Sequence, residues 1–459
     1  MAGKKIQAQL TPEEKLQQAL VPEAEQPYKV PDNWCWTYWG NCGEFIAGNA
    51  FKKDYQGFQN YHIPFYKVGS LKYSDDNGIL YDNSNTINDE ILKILKATLI
   101  PVNSIIFAKI GEAIRLNRRS INNKACCIDN NLMAFVSKVG FWKYFYFWSL
   151  QLDLYDYTNA TTVPAIRKSD LEGIEMPLPP LAEQQRIVER IETLFAKLDE
   201  AKEKLQNTLD TFETRKAAIL HKAFTGELTA NWRKQHSVSM DSWEEKRLGK
   251  VCKINPSKIN TKNLSDDLEV SFFPMASLSE ITGEIVDPEI RTLGKVKNGF
   301  TNFSEGDVVF AKITPCMENG KSAIIGKLIN DIGYGTTEFY VLRCGEELSN
   351  KYLHHIVRSK KFRDEAKQNM TGAVGQQRVP KKYMEDYTLN LPTFSEQTEI
   401  VRIIDDLLAK EQQAKELAEN ALAKIDLIKK SILARAFRGE LGTNNPADEP
   451  AVKLLERVL

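Results

Sequence analysis

The sequence has no long hydrophobic run and no excess of charge of either sign. No segment approaches the roughly eighteen apolar residues of a membrane span, and the opening residues MAGKKIQAQL lack the apolar core of a secretory signal. The 61 basic and 61 acidic side chains cancel, so bulk charge gives no sign of a nucleic-acid partner. We therefore expect a cytoplasmic protein without membrane contact, on which any basic surface is local.

Metal-binding and catalytic patterns are also scarce. The seven cysteines and five histidines show no zinc spacing, which predicts reduced, mostly buried thiols and no bound metal. Gly320-Lys321-Ser322 resembles the end of a phosphate loop, but Pro315 occupies the position of its first glycine. Asp364–Lys367 resembles a nuclease fragment without supporting acids nearby. We therefore expect no catalytic residue in this chain.

What the sequence does contain is a stretch of about fifty residues that occurs twice. Residues 178–228 and 391–441 align without a gap at a constant offset of 213, and 23 of the 51 positions are identical. Prolines lie just before the predicted helix of each copy, and Gly226 and Gly439 lie just after it as helix stop signals. The pattern predicts one long helix per copy, continuous from Leu181 to Phe224 in the first. Taken alone, the repeat is also compatible with a purely structural hairpin.

Apolar or small residues recur within both copies in alternating steps of four and three, which is the period of a coiled coil. Arg215 and Glu411 are the polar residues in these series. The three alanines near the middle of the second series leave room for bulkier Leu205 and Phe212, so we predict that the copies pack on each other. The predicted seam consists of Ile187, Ile191, Leu194, Leu198, Ala201, Leu205, Phe212, Ile219, Ile400, Ile404, Leu407, Ala414, Ala418, Ala421, Ile425, Ile428 and Ile432.

The blocks between the helices differ in sequence but share landmarks. Asp32, Trp34 and Gly40 match Asp241, Trp243 and Gly249, and the run 105–110 (IIFAKI) matches 308–313 (VVFAKI). Thr158, Ala160, Ile166 and Lys168 match Thr371, Ala373, Val379 and Lys381. A retained framework with varied loops is typical of recognition modules. We predict strands at 104–110, 132–137, 270–275, 306–313, 321–327 and 337–343, and helices at 11–20, 87–97, 141–152 and 350–368.

The doubled helix, its closing AF.GEL, its opening LPPL.EQ and the FAKI strand together resemble the specificity (S) subunit of type I restriction-modification systems. The resemblance implies that each block is a target recognition domain for one half of a bipartite site in double-stranded DNA. It also implies that the paired helices set the spacer and dock two methyltransferase subunits. Motor/nuclease subunits join through the complex. The S subunit itself is non-catalytic, and S-adenosylmethionine, ATP and Mg are expected on the partners.

The resulting fold prediction is an α+β chain with an internal pseudo-two-fold repeat: two globular α/β target recognition domains separated by a two-helix antiparallel coiled coil. The predicted segments are an N-terminal segment 1–30, recognition domain 31–177, helix 178–228, recognition domain 229–390, helix 391–441 and tail 442–459. Two other functions stay open. One is a non-catalytic coiled-coil adaptor with two protein-binding heads, and the other is an unrecognised nuclease.

Clusters of basic and amide side chains are the candidate DNA contacts. Arginine paired with asparagine suits guanine and adenine edges, and lysines suit phosphates. For any single residue the alternative is a solvated surface charge. The candidates are Lys109, Arg115, Asn117, Arg118, Arg119, Lys124 and Lys168 in the first block, and Lys312, Lys321, Arg358, Lys360, Lys361, Gln376, Gln377, Arg378, Lys381 and Lys382 in the second.

Overall fold

The computed structural model describes residues 11–159, 163–373 and 375–459, so Ala160 of the matched landmarks lies outside the described residues. The chain forms two compact units. Unit 1 comprises the chain up to Lys204 together with Ala421–Leu459, and unit 2 comprises Leu205–Asn420. Each unit therefore combines one block with parts of both repeated helices, and the segment boundaries given above stay predictions.

Helices occur throughout both units, and none in the described ranges is long and apolar enough to cross a membrane. The helices are α1 Pro12–Ala19, α2 Asp89–Leu95, α3 Trp142–Ser149, α4 Lys168–Glu172, α5 Leu181–Asp210, α6 Phe212–Phe224, α7 Ala230–His236, α8 Leu248–Val251, α9 Leu293–Val296, α10 Asn350–Arg358, α11 Lys360–Gln368, α12 Lys381–Asp386, α13 Phe394–Ala436 and α14 Val452–Glu456. Thr11 caps α1 through a reciprocal bond with Glu14. The helix predicted at 350–368 is divided, because Ser359 is extended.

Unit 1 contains a mixed sheet and a smaller one beside it. Its strands are β1 Cys35–Tyr38, β2 Gly43–Ala47, β3 Ile63–Tyr66, β4 Ile79–Leu80, β5 Thr86–Ile87, β6 Ile105–Ala108, β7 Arg119–Asn122, β8 Cys127–Ile128, β9 Leu132–Ser137 and β10 Glu175–Leu178. The main sheet has the order β2-β9-β6-β7-β4, and the smaller has β5-β3-β8. Trp39 contacts Phe45, Phe135 and Trp148 in the core between the sheet and α3.

Unit 2 repeats this plan. Its strands are β11 Glu244–Arg247, β12 Cys252–Ile254, β13 Glu269–Phe273, β14 Glu289–Thr292, β15 Thr301–Phe303, β16 Val308–Ala311, β17 Ser322–Ile324, β18 Gly333–Gly335, β19 Phe339–Cys344 and β20 Thr388–Leu391. The sheet order β12-β19-β16-β17 matches β2-β9-β6-β7 of unit 1, and parallel β13 and β18 match β3 and β8. The predicted common scaffold and its six strands are confirmed.

In unit 1 a buried carboxylate joins the block to the helices. Glu183, in the first turn of α5, is fully buried and accepts a hydrogen bond from the Trp34 indole at 2.8 Å. Asn444, which follows α13, donates to the same carboxylate at 2.8 Å. Burial raises the pKa of Glu183 despite these bonds. The next residue, Gln184, accepts from the Phe141 backbone N–H at 2.7 Å and so holds the start of α3.

Unit 2 repeats the carboxylate with a cation added. Glu396, in the first turn of α13, is fully buried and accepts from the Trp243 indole at 3.0 Å. The Arg233 guanidinium, which follows α6, donates to it at 2.6 Å. Gln397 accepts from the Ser349 backbone N–H at 2.8 Å, just before α10. In both units the Glu-Gln pair therefore joins one helix start, one block and the segment after the other repeated helix.

The repeated helices run antiparallel within each unit, as predicted. In unit 1 the start of α5, with Ile187 and Ile191, shares a core with Leu433 near the end of α13. Lys429 binds Asp199 at 2.6 Å. In unit 2 the polar residues that interrupt the two apolar series meet each other, because Arg215 binds Glu411 at 2.8 Å. A half-buried polar pair between two helices favours one register over others.

Three positions of the predicted seam are wrong. Ala201 and Ala414 are exposed, and Ile428 is 43% exposed. A helix with 3.6 residues per turn drifts away from a strict 3.5 period, so the buried face moves to other residues. Ile187, Ile191, Phe212, Ile400, Ile404, Ala418 and Ile425 are buried, while Leu194, Leu198, Leu205, Ile219, Leu407, Ala421 and Ile432 are half-buried.

The predicted continuous helix from Leu181 to Phe224 is also interrupted, at Thr211 between α5 and α6. Backbone hydrogen bonds nevertheless continue across the interruption, from the Thr211 N–H to Asn207 at 3.2 Å and from the Arg215 N–H to Thr211 at 2.9 Å. The interruption is therefore local.

Replacing the two buried glutamates should destabilise the units unequally. Glu396→Ala leaves the Arg233 charge buried without its carboxylate, a loss of about 3–5 kcal/mol. Glu183→Ala removes hydrogen bonds from neutral donors, a loss of about 1–3 kcal/mol. Urea unfolding of the full chain measures both changes. Exposed Glu419 on α13 supplies the control Glu419→Ala, and equal losses for all three variants would contradict this account.

Candidate nucleic-acid interface

The matched FAKI run ends at the same edge of the sheet in both units. In unit 1, Lys109 follows β6; its backbone N–H donates to Asn131 at 2.8 Å, and its carbonyl accepts from Ile166 at 2.9 Å. In unit 2, Lys312 follows β16 and makes the equivalent bonds with Glu338 and Val379, both at 2.9 Å. Each edge therefore gathers the segment after the strand, the turn before β9 or β19, and the segment before α4 or α12.

In unit 1 this edge carries a braced loop, Gly111–Arg118. Asn117 adopts a left-handed conformation with φ of 51°, which asparagine tolerates. Its side chain donates to the Leu152 carbonyl at 2.9 Å and accepts from the Leu154 N–H at 2.9 Å. Arg119, only 5% exposed, donates to Leu152 at 2.7 Å. The loop is therefore fixed to the segment that follows α3.

Two candidate contacts in the first block are corrected by this geometry. Arg119 is buried, and burial lowers its pKa to about 10. Its guanidinium donates hydrogen bonds to backbone carbonyls and to the Asn117 side chain. The Asn117 amide is likewise committed to Leu152. Neither side chain is available to a base, because each holds the loop from within. The neighbouring residue Arg118 is exposed.

The remaining candidates of unit 1 are accessible to different degrees. Arg115 is 54% exposed and bound to Glu112 at 2.8 Å. Arg118 and Lys124 are exposed, and within the described ranges neither side chain has an ion-pair partner. Lys168 is 48% exposed and lies 3.5 Å from Glu172, whereas Lys109 is half-buried. The DNA contacts of these residues stay predictions.

In unit 2 the same edge presents different chemistry. Exposed Arg378 forms a bidentate ion pair with Glu338, in which Nε and Nη2 donate to the carboxylate at 2.9 and 2.8 Å. Gln376 is exposed, whereas Gln377 is half-buried and its carbonyl accepts from Thr314 at 3.0 Å. Lys312 is half-buried, 5.5 Å from the centroid of the Tyr340 ring. Bound carboxylates thus compensate more of the positive charge here than in unit 1.

The other candidate contacts of unit 2 are lysines on α11 and α12. Lys382 is 84% exposed and pairs with Asp386 at 2.9 Å. Lys381 pairs with Glu385 at 3.2 Å, and Lys360 with Asp364 at 2.8 Å. Lys361 is exposed. Exposed pairs of this kind contribute little to stability, so each lysine can exchange its carboxylate for a phosphate at small cost.

Arg358 and Lys321 do not fit the expected phosphate contacts. Arg358 is half-buried and donates to the carbonyls of Glu280 and Ile281, at 3.2 and 2.8 Å. Burial lowers its pKa. Lys321 is half-buried and donates to the Met275 carbonyl at 3.4 Å. These two cations bind backbone carbonyls of the segment 275–281. The sequence did not indicate this role, because the contacts join residues far apart along the chain.

The sequence interpretation missed two residues of this edge. Leu116, between Arg115 and Arg118, is 60% exposed. Tyr155 lies under the Arg115 guanidinium, 3.8 Å from ring centroid to Cζ. Leu116 could have been identified from the sequence, because it is an isolated leucine within a basic loop. No local signal marked Tyr155, because it is forty residues from Arg115 along the chain.

The chain contains two copies of one α/β scaffold, and the two copies carry different side chains at the same sheet edge. This organisation is typical of a recognition protein with two binding modules. The sequence matches the family described as type I restriction modification DNA specificity domain over residues 32–211 and 240–420. The chain belongs to this family.

Individual relatives agree with that assignment. The chain is similar to the EcoEI and EcoAI type I restriction enzyme specificity subunits of Escherichia coli, each 35% identical over 260 residues and 48% of this chain. These matches span 43% and 44% of the two relatives' lengths. Among solved structures, the HsdS subunit from Thermoanaerobacter tengcongensis has a TM-score of 0.64 at 18% identity, covering 91% of this chain and 100% of that one. This likeness supports the fold.

Lys382 should contribute to DNA affinity without affecting sequence choice. With a phosphate as its partner, Lys382→Ala should weaken binding of the complex to all duplexes alike and reduce the salt dependence of log K by about one. Lys453 on α14 offers a matched control, since it is 51% exposed and pairs with Glu456 at 2.8 Å. Binding isotherms at several salt concentrations measure both variants, and equal slopes would remove Lys382 from the interface.

Proposed function

We propose that this chain is the DNA sequence-specificity subunit of a type I restriction-modification complex. Unit 1 reads one half of a bipartite, asymmetric site, and unit 2 reads the other. The observation that supports this proposal is the edge after the FAKI strand, which has the same backbone bonds in both units. In unit 1 it carries exposed Arg115, paired with Glu112, and exposed Arg118. In unit 2 it carries exposed Arg378, which binds Glu338 through both Nε and Nη2. A shared frame with unlike side chains suits two unlike half-sites.

The repeated helices set the spacer between the half-sites in this proposal. A helix advances by about 1.5 Å per residue, so its length fixes a distance along DNA. The buried glutamates at the starts of α5 and α13 anchor each block to the helices. This anchoring transmits the helix length to the recognition surfaces.

The repeated helices also dock two methyltransferase subunits, and through them the motor/nuclease subunits. Two helices that share 23 of 51 residues offer two similar surfaces, which suits two identical partners. In this proposal the chain is non-catalytic and acts in the cytoplasm, and S-adenosylmethionine, ATP and Mg bind the partner subunits. Support comes from the specificity subunits that the chain resembles.

Methylation mapping tests the proposal directly. DNA from cells that express the chain with its methyltransferase subunit should carry methylated adenine in one bipartite motif with a fixed spacer. Cells that express the methyltransferase subunit alone supply the control. A non-catalytic adaptor would produce no sequence-specific methylation, and metal-dependent cleavage by the purified chain would instead indicate a nuclease.

A matched insertion tests the spacer role. Four residues added after Lys202 in α5, together with four after Asn420 in α13, lengthen both helices by about 6 Å. The methylated motif should gain about two base pairs of spacer and keep both half-sites, because base pairs rise by about 3.4 Å. An insertion of four residues after exposed Pro446, in the turn that follows Asn444, should leave the motif unchanged. Altered half-sites would contradict a pure spacing role.

A further inference from the structure

The loop Gly111–Arg118 of unit 1 ends in an exposed and unusually well-braced tip. Arg115 is 54% exposed, Leu116 is 60% exposed, and Arg118 is exposed beside them. Side chains this long lose considerable rotamer freedom when they bind a partner. A loop that already restrains them loses less on binding, which is the physical content of preorganisation.

The base of the loop is fixed from inside the unit. Buried Arg119 donates to the Asn117 carbonyl and to its side-chain oxygen, both at 2.6 Å. Both residues also bind Leu152, from the segment after α3. Because Asn117 lies directly between Leu116 and Arg118, these bonds fix the backbone that carries the exposed side chains.

The Arg115 guanidinium is held on one face and one edge only. Its Nε donates to Glu112 at 2.8 Å. Its Cζ lies 3.8 Å from the centroid of the Tyr155 ring, and Nη2 donates to the Tyr155 hydroxyl. Within the described ranges Nη1 has no partner. Nη1 therefore keeps both of its hydrogens and Nη2 keeps one. With Tyr155 accepting from the Nη2 hydrogen on the Nε side, one N–H from each terminal nitrogen is available as a parallel fork.

Two other arginines give a comparison. Half-buried Arg291 is braced in a similar way, since its Cζ lies 3.6 Å from the centroid of the Phe272 ring and its Nε and Nη2 both donate to Glu289, at 2.9 and 2.7 Å. In Arg378 the same two nitrogens bind Glu338, and Nη1 donates to the Gln376 carbonyl at 3.1 Å. Arg115 keeps the geometry in which both terminal nitrogens can act together.

We propose that the loop Gly111–Arg118 enters the major groove, where the Arg115 fork donates to O6 and N7 of a guanine in the half-site read by unit 1. Guanine presents these two acceptors side by side. Leu116 contacts the methyl group of an adjacent thymine, and Arg118 contacts a phosphate. Asn117, Arg119 and Tyr155 are positioning residues. This inference rests on the proposed function, and it identifies the base that the loop of unit 1 reads.

Replacing single guanines tests the inference on the complex of full chain and methyltransferase subunit. Methylation mapping first gives the two half-sites. Each guanine in them is then replaced in turn by 7-deazaguanine, which lacks the N7 acceptor but still pairs with cytosine. At one guanine of one half-site, binding by the wild-type complex should weaken by a factor of about 5 to 150. If binding by the wild-type complex is insensitive to 7-deazaguanine at every position, the inference is overturned and no variant is needed.

Variants assign the effect to Arg115. Arg115→Ala should bind the sensitive duplex and its 7-deaza counterpart equally well. Arg115→Gln, which retains hydrogen bonding toward Glu112, should shift preference at that base pair toward adenine. Arg291→Ala removes an arginine of similar bracing and should keep the wild-type sensitivity. If the wild-type complex methylates a bipartite motif and Arg115→Ala stays sensitive to N7, this inference fails and the proposed function stands. If no bipartite motif is methylated, the proposed function itself fails.

Discussion

The fully buried glutamate in the first turn of α5 and of α13 is the interaction on which the rest of the structure depends. Glu183 and Glu396 each accept from the tryptophan that opens the adjacent block, at 2.8 and 3.0 Å. Each also binds the segment that follows the other repeated helix. A buried carboxylate is costly unless it is fully hydrogen-bonded. The arrangement is therefore stable only when three distant chain segments are in place together.

This constraint explains why the helices repeat while the blocks differ. The Glu-Gln pair, the tryptophan and the segment after the helix must fit one another in both units. The loops beyond the strand edge contribute nothing to that fit. The matched glycines Gly40 and Gly249 show this constraint of the scaffold. A Cβ at Gly40 would overlap Glu172, and a Cβ at Gly249 would lie only 3.0 Å from the Glu385 carbonyl oxygen. Residues of the scaffold are constrained by packing, and residues of the edge are free to be chosen for recognition.

Much of the architecture could be predicted from the sequence because its signals are local or periodic. The repeat, the helix punctuation and the strand after each variable loop depend on neighbouring residues. The details that failed depend on distant partners. Arg118 and Arg119 are indistinguishable by composition, yet one is exposed and the other is buried against Leu152, some thirty residues away. Ala201 and Ala414 satisfied the 3.5-residue period but lie outside the seam, since slow helical drift is invisible over a few turns.

The contrast between Arg119 and Arg115 indicates how such a unit could change its target. Arg119 uses its donors inside the unit and so keeps the loop in place. Arg115 is held by the Glu112 carboxylate, which is 75% exposed, and by the Tyr155 ring. Its terminal nitrogens keep N–H donors available to a partner. Substitutions at the tip leave the internal network intact, because none of its bonds involves the side chains of residues 115, 116 or 118. Rigidity of the base and freedom of the tip are therefore compatible, and under the proposal that this loop reads DNA a new specificity requires change only at its exposed residues.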